Sequence, residues 1–212
     1  MSFSAVTSTG KNTVGAARLA AYAFGLLLCL LNAGCLSTKS YVDPTLPKVQ
    51  YSDLKPVDPK PVVQVVYEFQ TNGASNPRAT EATRGYVMDT LKTSNLFADL
   101  PAAPATAERK LYIVINNVFD SKEATGKGVG TGLTLGLAGT MVTDNYVMTA
   151  SYDAPGAPEV KHSYRHALHS TIGNADGPKG LVATTPKEGG RTIVTDLTLN
   201  LLRDMSTSGE LK

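Results

Sequence analysis

The stretch that most constrains this chain runs from about Leu19 to Leu31 and continues into Asn32-Ala33-Gly34-Cys35. Lys11 and Arg18 precede it, and no acidic residue occurs among the first 34 positions. A basic leader, a short apolar run and small residues before a cut are the marks of an export signal. The run is too short to cross a bilayer, which takes roughly 20 apolar residues. Whatever folds must lie downstream and outside the cytosol.

Ordinary cleavage wants small residues in an A-x-A pattern, and a cut after Ala33 would place Leu31 in the first small slot. Ala33-Gly34-Cys35 instead resembles the end of a bacterial lipobox, where cleavage falls before a cysteine that carries the lipid. Asn32 stands where that family usually has leucine, with Leu31 one place earlier. The alternative is a normal signal followed by an ordinary buried thiol. The resemblance implies lipidation of Cys35 with more than one acyl chain, because a single chain binds only marginally at about 0.8 kcal/mol per buried methylene. Leu36 follows the cysteine, and not the aspartate that often marks inner-membrane retention. By the family rule the protein is then an envelope lipoprotein on the periplasmic leaflet of an outer membrane.

On that reading residues 1–34 are a signal peptide, 35–61 a lipidated cysteine with a Pro-rich tether, and 62–208 one α/β domain. Removing 34 of 212 residues leaves 178, enough to bury a real core. Lys11 and Arg18 leave with the signal, so the remaining 18 basic residues balance the 18 acidic ones. A nucleic-acid partner would need a clustered basic face, and nothing here suggests one. Cys29 leaves too and Cys35 takes the lipid, so the domain has no thiol for catalysis, metal binding or disulfides.

Pro44, Pro47, Pro56, Pro59 and Pro61 recur among polar residues from 36 to 61, which favours extended backbone. As a free tether this segment would reach roughly 80 Å at about 3.1 Å per residue. Val62 to Phe69 is rich in β-branched and aromatic residues and predicts a strand. The spacing of Ala79, Ala82, Tyr86, Val87 and Leu91, opposite Glu81, Arg84 and Lys92, predicts a helix over about 79–94. Leu111 to Phe119 is a second apolar strand, with Leu111, Ile113 and Ile115 on one face and Tyr112 and Val114 on the other. Residues 146–152 and 160–172 read as a hairpin around Asp153-Ala154-Pro155-Gly156-Ala157-Pro158. Thr185-Pro186-Lys187-Glu188 spells a helix start, and Val194, Leu197, Leu201, Leu202 and Met205 form its apolar stripe. Ile193 lies at the edge of that stripe and Leu199 off it.

The expected fold is α+β, a mostly antiparallel sheet of about four strands with two helices packed on one face. At this level of element order, with the lipobox, it looks like the small α/β sandwich of the lipopolysaccharide-assembly lipoproteins and the periplasmic part of curli-type secretion lipoproteins.

The Gly-rich insert from Gly126 to Val142 alternates small and apolar residues. It fits a strand or, through Gly128, Gly132, Gly136 and Thr140, a helix with a small-residue ridge. A hairpin of the domain, a partner-docking segment and a membrane-inserting segment all remain open. Its glycines match neither G-x-G-x-x-G nor G-x-x-x-x-G-K-[ST]. On a helix, His162, His166 and His169 would share a face and could chelate a metal. On the strand favoured here, His162 and His166 share a face about 13 Å apart while His169 points the other way. No G-x-S-x-G or H-E-x-x-H occurs, and Asp89, Asp120, Glu123, Asp144 and Asp196 have no pairing that suggests acid–base work. The expectation is a protein without enzymatic activity, cofactor or metal. It is held to the membrane by acyl chains on Cys35 and binds a protein or lipid partner of the envelope. The alternative is a subunit of an oligomeric secretion or assembly complex whose Gly-rich segment enters the membrane.

Overall fold

The computed structural model describes residues 37–101, 107–119 and 139–212. Strands β1 (Thr38–Val42), β2 (Val63–Thr71), β3 (Ala74–Ser75), β4 (Arg109–Val118), β5 (Thr140–Asp153) and β6 (Val160–Ile172) form one sheet. Helices α1 (Pro77–Thr93) and α2 (Pro186–Ser208) cover it. The strand order is β1-β6-β5-β4-β2-β3. All neighbours are antiparallel except β2 and β4, the parallel pair that needs a crossover, here supplied through α1. The fold is α+β as the sequence implies, with six strands where four were expected.

Each element follows from local chemistry. Asn76 caps α1 by accepting from the Ala79 N–H at 3.0 Å, and Pro77 occupies the first turn, where no N–H is missed. In α2 the capping box is present in full: Thr185 accepts from the Glu188 N–H at 3.2 Å, and Glu188 reaches back to the Thr185 N–H. Between Ala154 and Val160 a short turn joins the two long strands, whose register runs from Thr140 beside Ile172 to Tyr152 beside Val160. Gly139 enters β5 at φ +57°, and a Cβ there would lie 2.2 Å from the Ala175 backbone nitrogen, so only glycine fits.

Alternation decides which strand faces are buried. Tyr67 and Phe69, Leu111, Ile113 and Ile115, and Tyr146, Met148 and Ala150 point to the helices and are buried. They meet Val87 and Leu91 of α1 and Ile193, Val194, Leu197, Leu201, Leu202 and Met205 of α2. Each large side chain buried in this way contributes about 1.5–3 kcal/mol. In α1 the inner positions differ from those expected: Ala82 is exposed, while Thr90 is buried. Arg84 is half-buried, its guanidinium 5.9 Å from the Tyr67 ring centre and donating to the Tyr67 carbonyl at 3.4 Å.

The tether reading of 35–61 is corrected for its described part. Residues 38–42 are the edge strand β1, paired with β6. The chain beyond them forms a 3-10 turn at Tyr51–Asp53 and lies along the domain. Tyr41, Val49 and Val57 are buried, and Val57 belongs to the core. Prolines do favour extended backbone, but extended backbone can pack as readily as it can dangle. What holds this arm is one line of α2. Asp196 accepts from Lys48 Nζ at 2.9 Å, and Asn200 Nδ2 donates to the Pro47 carbonyl at 2.9 Å. Gly189, on the same line, leaves room for Ser40 and Leu168. Leu199 is buried as well, although the stripe alone would leave it out.

Each margin of the sheet is capped in part. On the β1 side, Ser40 and Thr184 exchange two backbone hydrogen bonds of 2.9 and 2.8 Å. On the β2 side, Asp99 accepts from the Val63 N–H at 3.1 Å, Thr80 Oγ1 accepts from the Phe69 N–H at 2.8 Å, and β3 pairs with Gln70 and Thr71.

Candidate functional site

Two surfaces of the described domain combine apolar and polar side chains. The first is the sheet face away from the helices, where Val66, Tyr112 and Val118 are 41%, 37% and 40% exposed. Register places Val66 beside Tyr112, Tyr112 beside Ser151 and Ser151 beside Lys161. The next rows are Glu68–Val114–Thr149–Ser163 and Gln70–Asn116–Val147–Arg165. An apolar ridge along β4 is thus flanked by hydroxyls and charges. At one end lies a shallow depression of about 460 Å³ lined by Tyr112, Val114, Thr149, Ser151, Glu159 and Lys161. The second surface is a cleft of about 420 Å³ between α1, α2 and the arm, bordered by Lys48, Tyr51, Tyr86, Asp89, Arg191 and Asp196. Its charges oppose one another, and the Arg191 guanidinium sits 5.7 Å from the Tyr86 ring centre.

The three histidines lie on β6 and do not converge. Each meets a carboxylate from a different part of the chain. His162 Nε2 is 2.9 Å from Glu210 Oε2, His169 Nε2 is 3.2 Å from Asp43 Oδ2, and His166 Nε2 faces Asp196 Oδ2 at 3.5 Å. The last distance is long for a hydrogen bond. Their other nitrogens are engaged too, by Tyr164 OH at 3.4 Å, Thr143 Oγ1 at 2.9 Å and the Ala167 N–H at 3.1 Å. His166 Nδ1 accepts that backbone proton, so it is no base for a substrate. No group of three metal-ligating side chains occurs among the described residues. These imidazoles tie β6 to the arm, to α2 and to the C-terminal turn.

Asp196 is the residue that sequence reasoning underrated. It was one of several scattered acids, yet it is buried between Lys48 and His166. Burial works against its charge, but His166 and Lys48 outweigh that and hold the carboxyl below its ordinary range. Asp43 is also held low, chiefly by its hydrogen bonds to Thr45, with His169 adding to them. A lowered carboxyl stabilises the fold above its ordinary pKa of 3.8, and that contribution is lost as the pH falls through the lower folded value. In Asp196→Asn, stability at neutral pH should drop by about 1–3 kcal/mol, toward the low end because Lys48 can return to water. Urea melts from about pH 7 down to 2.5 should also show a shallower acid decline than the parent. An unchanged decline would mean Asp196 carries no linked proton. Asp144 moves the other way, since burial raises it despite a hydrogen bond from Asn117.

Cys35 and residues 126–138 of the Gly-rich insert lie outside the described residues, as do Asp120 and Glu123. The end of the insert is described: Thr140, Met141 and Val142 open β5.

No family model matches the sequence, and no curated protein matches it. Among solved structures, the PelC dodecamer from Paraburkholderia phytofirmans is similar at 11% identity and TM-score 0.36, over 79% of this chain and 96% of that one. The minor lipoprotein from Acinetobacter baumannii is similar at 12% identity and TM-score 0.36, over 71% and 95%. The rare lipoprotein B from Shewanella oneidensis is similar at 14% identity and TM-score 0.29, over 69% and 92%. Likeness at this level fixes neither the fold nor the task of this chain.

Proposed function

We propose that this protein is an outer-membrane lipoprotein of the cell envelope, acylated at Cys35, whose domain binds a partner and carries out no reaction. The observation that carries the reading is Ala33-Gly34-Cys35 at the end of a short apolar run, directly ahead of a folded body. His162 and His169, both of whose ring nitrogens meet internal partners, support a binding role over a catalytic one. A protein partner would add apolar burial on the ridge of Val66, Tyr112 and Val118, with Lys161 and Arg165 at its border. The test is expression of Cys35→Ser with fractionation and mass measurement. The parent should be membrane-bound and heavier by its acyl groups, and the variant should be released. A membrane-bound, mature Cys35→Ser product would sink the reading.

One observation favours the alternative of an oligomeric assembly whose Gly-rich segment enters the bilayer. The end of that segment opens β5 at the tip of the sheet where Ser37 begins, since Thr140 and Thr38 both pair with Ile172. An assembly that forms only in detergent would support this alternative, and a delipidated monomer would support the first.

A further inference from the structure

We infer that the domain rests on phospholipid headgroups through one end of its sheet, the tip formed by Ser37, Gly139 and Gly173-Asn174; this rests on acylation of Cys35. Three observations lead there. The folded body begins at Ser37, whose carbonyl accepts from the Gly173 N–H at 2.9 Å, and Thr38 already pairs with Ile172. Only Leu36 separates Ser37 from Cys35. Two peptide steps span at most about 7.6 Å between Cα atoms, close to the roughly 5–7 Å depth of one headgroup layer. The arm that would have supplied a long spacer is consumed in the fold, held by Asp196 and Asn200.

Topology shows what else lies at that end. β5 starts there with Thr140 beside Ile172, while β4 finishes beside Asn145 and β2 turns through Asn72-Gly73, roughly 16 Å back along β5. The turn is tied in place: Asn72 Oδ1 accepts from the Phe119 N–H at 3.0 Å, and Asn116 Oδ1 accepts from the Gly73 N–H at 2.9 Å. Ser37, Thr38 and Asn174 are exposed there, and so are Lys39 and Asp176. Neutral hydrogen-bonding groups with one cation and one carboxylate suit a zwitterionic lipid surface. The opposite end, the Pro155-Gly156 turn, stands one full strand away, about 43 Å along β5.

The experiment uses the full acylated chain, which carries no other thiol after signal removal. Asn174→Cys and Ala157→Cys, both at exposed positions, are labelled with a fluorophore and reconstituted in phosphatidylcholine vesicles containing a headgroup-linked quencher. Quenching should be several-fold stronger at 174 than at 157. A flexible ten-residue Gly-Ser insertion between Leu36 and Ser37 should remove the difference while the protein stays bound. Equal quenching at both positions, or stronger quenching at 157, with acylation verified by mass, would overturn the orientation alone. An unmodified Cys35 with no vesicle binding would remove the lipoprotein reading and this inference together. Circular dichroism of each variant confirms that the fold is retained.

Discussion

Deleting residues 37–57, so that Leu36 joins Asp58, is expected to leave a domain without a cooperative melt. The arm buries Tyr41, Val49 and Val57, each worth about 1.5–3 kcal/mol, and supplies one edge strand. Its removal also strands the polar line of α2, since Asp196 loses Lys48 and Asn200 loses the Pro47 carbonyl. Those losses together approach the roughly 5–15 kcal/mol that holds an ordinary domain folded. Circular dichroism during a urea titration reads the result. A melt within about 1 kcal/mol of the intact protein would show the arm to be a spacer after all.

Leu201→Ala comes next in size. Leu201 is fully buried in the second half of α2, a helix that packs on both α1 and the sheet. Truncation removes its apolar contacts and leaves a cavity that helices held from two sides cannot close, so the loss should be about 3–5 kcal/mol. For a body of this size that lowers Tm by roughly 10 °C. Thr207→Ala, at an exposed position near the end of the same helix, is the control and should move Tm by little. A loss below about 1 kcal/mol at Leu201 would mean the helix end repacks freely, contrary to its enclosed position.

Elements with strong local signals were legible in advance. The capping box from Thr185 to Glu188 marks the start of α2, and alternation in β6 predicts its bounds and sends His169 to the face opposite His162 and His166. The arm was not legible, because Thr38-Lys39-Ser40-Tyr41-Val42 has no clean alternation and its pairing partner lies far along the chain. Composition around the prolines speaks for backbone shape but not for what that backbone touches. Asp196 carried a faint signal: Gly189, Asp196 and Asn200 repeat along one helix line, which is unusual for solvated positions. The sheet face away from the helices was half legible, since Tyr112 and Val114 were assigned away from the core. Which of its residues a partner would use depends on rows across β2, β4 and β5, and those exist only once the register is set.

Were Cys35 acylated, the capped stretches at the margins of the sheet would acquire a particular meaning, because the molecule would be confined to a film. Neighbours sharing one lipid leaflet meet side-on far more often than in bulk water, and an open strand would let each encounter grow into a ribbon. Thr184 on one flank, and Asp99 with Thr80 on the other, occupy the backbone groups that would start such growth. On such a leaflet crowding would be less prone to grow through these stretches, leaving side chains to build any assembly, where it can be selective.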